Sequence, residues 1–226
     1  MTIEIGFLVF PRVQQLDLTG PYEVLAMVPG TRVHLVAKTL EPVASATGLV
    51  LTPTVSYAEC PALDVICVPG GSGVNPLMED AETLDLLRRQ AASARYVTSV
   101  CTGALVLGAA GLLRGRRATT HWAAHDLLAA FGAIPTQGRV VRDGKLITGG
   151  GVTAGIDFGL TLAAELTDEA TAKAIQLHQE YAPAPPFDAG RPESAGPDIL
   201  AAARERLSAT RREREEIVAR ITRSGA

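Results

Sequence analysis

The sequence predicts an α/β protein, with a mostly parallel central sheet, helices on both faces and a C-terminal helical extension. Three observations carry this reading. Short apolar runs recur through the first 151 residues, and they are nearly continuous rather than alternating, as strands buried on both faces are. Helical patterns fill the intervals, at the spacing of a sheet wound through crossover helices. A Pro-, Ala- and Gly-rich segment, APAPPFDAGRPESAGP (182–197), then separates this alternation from a final charged run.

The elements follow in order. IEIGFLVF (3–10) is the first strand. In VQQLDLTGPYEVL (13–25), Pro21 suits the opening of a helix, with Asp17 or Thr19 as its cap. VHLVA (33–37) and LDVICVPGG (63–71) are strands, the second ending in a glycine turn. DAETLDLLRRQAASA (80–94) reads as a helix with Asp80 at the N-cap and Glu82 in the first turn. YVTSVC (96–101) is a strand, and TGALVLGAAGLL (102–113) is apolar all round, so it predicts a buried helix. Residues 121–131 and 154–166 read as helices, and KLITGGG (145–151) as the last strand. Residues 198–223 pattern as an amphipathic helix with Ile199, Leu200, Ala203, Leu207, Ile217, Val218 and Ile221 on its apolar side. This predicts one α/β domain over 1–183 and an extended strap and helix over 184–226 that is not an independent domain.

The chain has 226 residues and is 47% hydrophobic, enough for a sizeable core, and its net charge of −3 gives no nucleic-acid signature. The last helix holds seven arginines, but five acids offset them, which argues against a nucleic-acid arm. The opening MTIEIGFLVFP lacks a basic region and its apolar run stops at Pro11, so no signal sequence is expected. Apolar stretches all fall short of the roughly 18 residues of a membrane span. Three cysteines make no disulfide framework, and a cytoplasmic protein with reduced thiols is the simplest expectation. His121 and His125 are spaced i, i+4, yet no carboxylate stands in register, so no metal site is expected.

The chemistry concentrates at Cys101. It falls at the carboxyl end of a strand and at the start of a helix, where α/β sheets bind ligands. A helix N-terminus favours a thiolate, which predicts a lowered pKa, and Gly103 suits a tight turn. The bland alternative is a small apolar residue filling a corner. Cys67, inside VICV, is expected in the core, and Cys60 before Pro61 in a loop. VPGGSG (68–73) follows a buried strand and offers close backbone approach and N–H donors. No Lys-Ser/Thr follows it and no GxGxxG is present, so an oxyanion-type donor fits better than a nucleotide site. Asp17 lies in the loop after the first strand, on the same sheet edge, where its carboxyl could face the thiol.

Together these elements resemble the ThiJ/PfpI superfamily, the thiol branch of the class I glutamine amidotransferase-like fold. The resemblance implies a flavodoxin-like sheet. It rests on IGFLVFPRVQQLDLTGPYEVLA, LDVICVPGGSGVNPLMED, ARYVTSVCTGALVLGAAGLL, RATTHWAAHDLLAAFGAIP, RVVRDGKLITGGGVTAGIDFGLTLAAEL and QLHQEYAPAPPF, spanning residues 3 to about 187. SVCTGALVLGAAGLL with RATTHW is shared widely in this branch, including sensor domains of AraC-type regulators. QQLDLTGP, with Asp where Glu is common, narrows the resemblance to the isocyanide hydratases. The resemblance implies Cys101 as nucleophile, Asp17 as acid/base partner and Thr102 as a contributor of N–H and hydroxyl. It also implies Gly71 as a second backbone donor and Val152 beside the thiol. Gly70 and Leu16 complete the expected pocket. Ala104 departs from a Ser in the related pattern, and His121 is given no catalytic role.

The implied reaction is hydration of an isocyanide to an N-substituted formamide through a covalent thioimidate, with water as co-substrate and no cofactor. A homodimer is implied, with no nucleic-acid or membrane partner. Few charged residues surround the expected site, which suggests an apolar substituent on the isocyanide. Two other readings use the same thiol: another enzyme of the superfamily, glyoxalase-like, deglycase or amidase, and a redox-sensing regulatory domain. Only about 45 residues follow Pro183, too few for the helix-turn-helix pair of the regulators.

Overall fold

A computed structural model describes residues 2–224, with side chains to 223. Its centre is a seven-stranded sheet. β1 (Ile3–Leu8) pairs in parallel with β2 (Thr31–Ala37) and with β6 (Val65–Val68). β7 (Tyr96–Val100) continues the parallel set beside β6, and β11 (Leu146–Gly149) beside β7. β5 (Val55–Ser56) closes one edge on β2. β10 (Val140–Asp143) closes the other as the antiparallel partner of β11, giving the order β10-β11-β7-β6-β1-β2-β5. Two small ribbons lie outside it: β3 (Val43–Ala44) with β4 (Val50–Leu51), and β8 (Arg117–Ala118) with β9 (Ile134–Pro135).

The near-continuous apolar runs have the expected cause. Side chains alternate between two faces along a strand, and both faces here are covered. Val65 and Cys67 enter one core cluster, whereas Ile66 and Val68 enter the other. The first core packs α1 (Gln15–Ala26), α5 (Ala154–Leu166) and α6 (Glu169–His178) through Leu18, Leu25, Phe158, Leu162 and Ile175. The second packs α3 (Ala81–Ser93) and α4 (Gly103–Ala109) through Leu86, Leu87, Leu105 and Leu107. It also takes in α2 (Val74–Leu77), a 3-10 helix (Trp122–Phe131) and, through Ile217 and Val218, α7 (Pro197–Ser224).

Asp80 caps α3 as expected, its carboxylate accepting the Thr83 N–H at 3.3 Å. The structure departs from the sequence reading at several points, among them α6, over which no helix was expected. The helix from 102 stops at Ala109, before Gly111, whose φ of 81° leaves the helical region. The helix expected over 121–131 is a 3-10 helix, Trp122–Phe131. The β10–β11 hairpin turns at Gly144, φ 63°, on an Asp-Gly pair that signals such turns. Finally, Pro21 does not open α1 but sits inside it, because tertiary bonds set the helix start: Gln14 N–H donates to Gly70 O at 2.9 Å and Val13 bridges to Gly71. No helix among the described residues is long and apolar enough to cross a membrane.

Candidate active site

β7 delivers the chain to Cys101 in a left-handed conformation, φ 57°, unusual for a side-chain-bearing residue. Several bonds hold that geometry. Cys101 N–H donates to Gly149 O at 3.0 Å and to Gly150 O at 2.8 Å. Thr120 Oγ1 donates to Cys101 O at 2.7 Å. The chain then turns under β6, and Gly103 is required by space, since a Cβ there would lie 1.9 Å from Val68 O. The thiol thus sits on a sharp strand-to-helix elbow, pinned on both sides.

Across the elbow lies Asp17, fully buried in the first turn of α1. Its Oδ2 accepts the Gly70 N–H at 2.8 Å, and its Oδ1 has no hydrogen-bond partner among the described residues. Burial pushes this carboxyl from 3.8 up to about 7, opposed by the Gly70 N–H and by the Cys101 thiol beside it. Gly70 has no room for a side chain: a Cβ would come within 2.7 Å of Asp17 Oδ2, Thr102 N and Thr102 Oγ1. That triple contact shows how tightly the Gly-rich turn, the carboxyl and the elbow are assembled.

The thiol itself departs from expectation. Burial drives its pKa well above 9.0, and the Asp17 carboxylate adds to the rise, while the Thr102 N–H pulls it down. The α4 N-terminus therefore does not dominate: the seven-residue helix cannot outweigh desolvation of a buried charge. Two raised groups in contact titrate as a pair.

The remaining expected residues are placed as follows. Thr102 Oγ1 accepts the Gly71 N–H at 3.1 Å, so the donor expected from Gly71 is already occupied in this state. Val152 is half-buried against the core cluster that contains Cys101. Leu16, 38% exposed, lines an open cleft of about 510 Å³ with Thr19, Glu23, Ile156, His178 and Tyr181. Ala104 is fully buried beside the elbow. Cys67 is core, its thiol pushed up to about 12 by burial, and Cys60 is half-buried; all three cysteines are free.

His121 is a structural cap rather than a ligand. Its Nδ1 accepts the Ala123 N–H at 3.3 Å, and burial with the Arg214 charge lowers its pKa to about 4. His125 Nε2 lies 3.2 Å from Thr136 O. No group of three His, Cys, Asp or Glu side chains suited to a metal occurs among the described residues. Sequence reasoning missed Asn75 and Arg214, both buried near the site. Thr120 was visible only as part of RATTHW.

The DJ-1/PfpI family model matches residues 4–165. An isonitrile hydratase from Pseudomonas putida is 64% identical over 220 residues, covering 97% of this chain and 96% of that protein. A ThiJ/PfpI family protein from Pseudomonas syringae, known from a crystal structure, superposes with a TM-score of 0.94 at 44% identity, covering 96% of this chain and 91% of that one. Drosophila melanogaster DJ-1beta shares the fold, with a TM-score of 0.74 at 24% identity over 81% of this chain and all of that one.

Proposed function

Since the chain belongs to the DJ-1/PfpI family, we propose that it is a lyase that hydrates isocyanides (isonitriles) to N-substituted formamides. The similarity to the isonitrile hydratase, which runs through nearly the whole of both chains, supports this activity. The observation that carries the mechanism is the buried Asp17 carboxyl, held by Gly70 against the Cys101 elbow with one oxygen unpaired.

The terminal carbon of R–N≡C accepts a soft nucleophile, and a thiolate suits it. With one proton on the Cys101–Asp17 pair, the thiolate attacks and a C–S bond forms. Asp17 delivers its proton to the same carbon, giving R–N=CH–S–Cys. Asp17, now a carboxylate, takes a proton from water as the hydroxyl adds to that carbon. The nitrogen then takes the hydroxyl proton as the C–S bond breaks, releasing R–NH–CHO. The site returns to thiolate and carboxylic acid, and no cofactor enters the balance. The Thr102 N–H steadies negative charge on sulfur. Gly71, Gly70, Val152 and Leu16 complete the reading as turn and pocket residues around an apolar substituent.

This makes the singly protonated pair the reactive form. The first proton leaves the pair near the Asp17 value of about 7, and the second leaves well above 9.0. The expected kcat/KM therefore rises with pH to a plateau, with an acid limb near pH 7. A limb near 4, the ordinary carboxyl range, would rule out the buried Asp17 as the group in control.

The working unit of this proposal is a homodimer in the cytoplasm, acting on a small molecule and water without nucleic acid or membrane. Leu177 and Phe187 are 82% and 79% exposed, apolar surface that a second copy would cover. Sedimentation equilibrium is expected to give twice the chain mass, and a mass near 23.7 kDa would refute the dimer.

A further inference from the structure

Arg214 lies in α7 yet is only 7% exposed. Its Nε donates to Asn75 Oδ1 at 2.9 Å. Asn75 is itself fully buried, five residues beyond Gly70 in the turn beside the thiol. The other end of the Asn75 amide is also engaged, its Nδ2 donating to Thr210 O at 3.2 Å and to Glu213 Oε2 at 2.7 Å. Nearby acids are committed elsewhere: Asp126 and Glu215 pair with Arg211. Arg214 makes no close ion pair among the described residues, and the one carboxylate that acts on its charge, Glu213 on its own helix, is held by the Asn75 amide. Such a charge is costly unless another anion compensates it.

Beyond Arg211 and Glu213 on its own helix, the ionisable group whose negative form would favour the Arg214 charge is the Cys101 thiol, and Arg214 in turn depresses His121. His121 borders the far side of the elbow: its Cδ2 is 3.3 Å from where a Cβ on Gly151 would stand. The preceding carbonyl, Gly150 O, holds the Cys101 N–H. Arg214 is thus tied through Asn75 to one flank of the thiol and lies beside His121 on the other.

We infer that Arg214 is a positioning residue of the thiol site, a counter-charge that α7 and Asn75 hold in place to favour the Cys101 thiolate. The inference deepens the proposed function and rests on its thiolate chemistry. Three titratable or charged groups surround this corner: Asp17 from α1, which opposes ionisation of the thiol; His121, the cap of the 3-10 helix beside Gly151, neutral at pH 7; and Arg214 from α7. Arg214 is the cation of that set. Its charge works against the desolvation that raises the thiol.

The test is the pH dependence of Cys101 alkylation by iodoacetamide, with the modified peptide identified by mass spectrometry. Wild type, Arg214→Met and Arg214→Lys are compared after circular dichroism shows that they are folded. Arg214→Met is expected to move the alkylation midpoint up by about one pH unit, a roughly tenfold slower reaction below it. Arg214→Lys keeps the charge but not the guanidinium geometry, and most of the wild-type profile is expected to return. A wild-type profile in Arg214→Met overturns the inference. If Arg214→Met fails to fold, Arg214→Lys decides: a profile near wild type supports a role for charge, and a rise of a pH unit or more overturns it. Alkylation needs no isocyanide, so the two readings separate. A shifted profile without isocyanide turnover sinks the hydratase alone, and turnover with unshifted profiles sinks the role of Arg214 alone.

Discussion

Cys101→Ala is expected to leave no measurable hydration of cyclohexyl or p-nitrophenyl isocyanide, a loss of more than ~10⁴ in kcat, because the nucleophile of the covalent step is gone. The variant is a clean test of chemistry. Alanine meets the same φ of 57° as cysteine, so the substitution adds no new backbone strain. The hydrogen bonds that fix the elbow run through the backbone N–H and carbonyl of residue 101, and these remain. Formamide production by the folded alanine variant at the wild-type rate would exclude covalent catalysis. It would leave Asp17 as the only expected acid/base group, acting on a water.

Asp17→Asn is expected to lower kcat by ~10²–10⁴ and at the same time to make the protein more stable above pH 7. Both effects come from one burial. The carboxyl ionises at about 7 in the folded chain and at 3.8 when exposed. Between those values the folded state holds a proton that the unfolded state has lost, so stability falls as pH rises. Above about 7 the full cost stands, roughly 4 kcal/mol. Asparagine cannot ionise, keeps an oxygen for the Gly70 N–H, and cannot deliver the proton to carbon. Calorimetry at pH 4 and pH 8 checks the stability. The melting temperature should match wild type at the lower pH and exceed it at the higher. An equal or lower melting temperature at pH 8 would mean that Asp17 is not a strained acid. A wild-type kcat would remove it from the mechanism.

Much of the fold was legible because burial on both sheet faces writes continuous apolar runs into sequence. VICV and YVTSV became β6 and β7 within a residue or two. Most of the elements that were missed are short, and tertiary contacts decide them; the exception is the ten-residue α6, which went unread although Asp168 caps it locally. β5, β8 and β9 have two residues each, too few to carry a pattern. α1 begins at Gln15 because Gln14 and Val13 bond to the turn at Gly70 and Gly71, a partner more than fifty residues away. At the site, the Cys101–Asp17 pairing was legible through the shared sheet edge and the family motif. The direction of the thiol's shift was not, since desolvation depends on what covers a residue. Arg214 was hidden for a related reason. Among seven arginines on one amphipathic helix, nothing in the spacing says which one turns inward.

The crowding at Gly70 and Gly103 has a consequence for anyone altering substrate range. These positions are closed by volume rather than by chemistry: a single added methyl would overlap Asp17 and Thr102 in one case and Val68 O in the other. A combinatorial library that randomises them would spend its members on collapsed sites. Half-buried Val152 packs against the core that contains Cys101, while partly exposed Leu16 lines an open cleft on α1 that does not include the elbow residues. On the proposed assignment of Val152 and Leu16 as pocket residues, new isocyanide substituents are best sought by varying those two positions and leaving Gly70 and Gly103 alone.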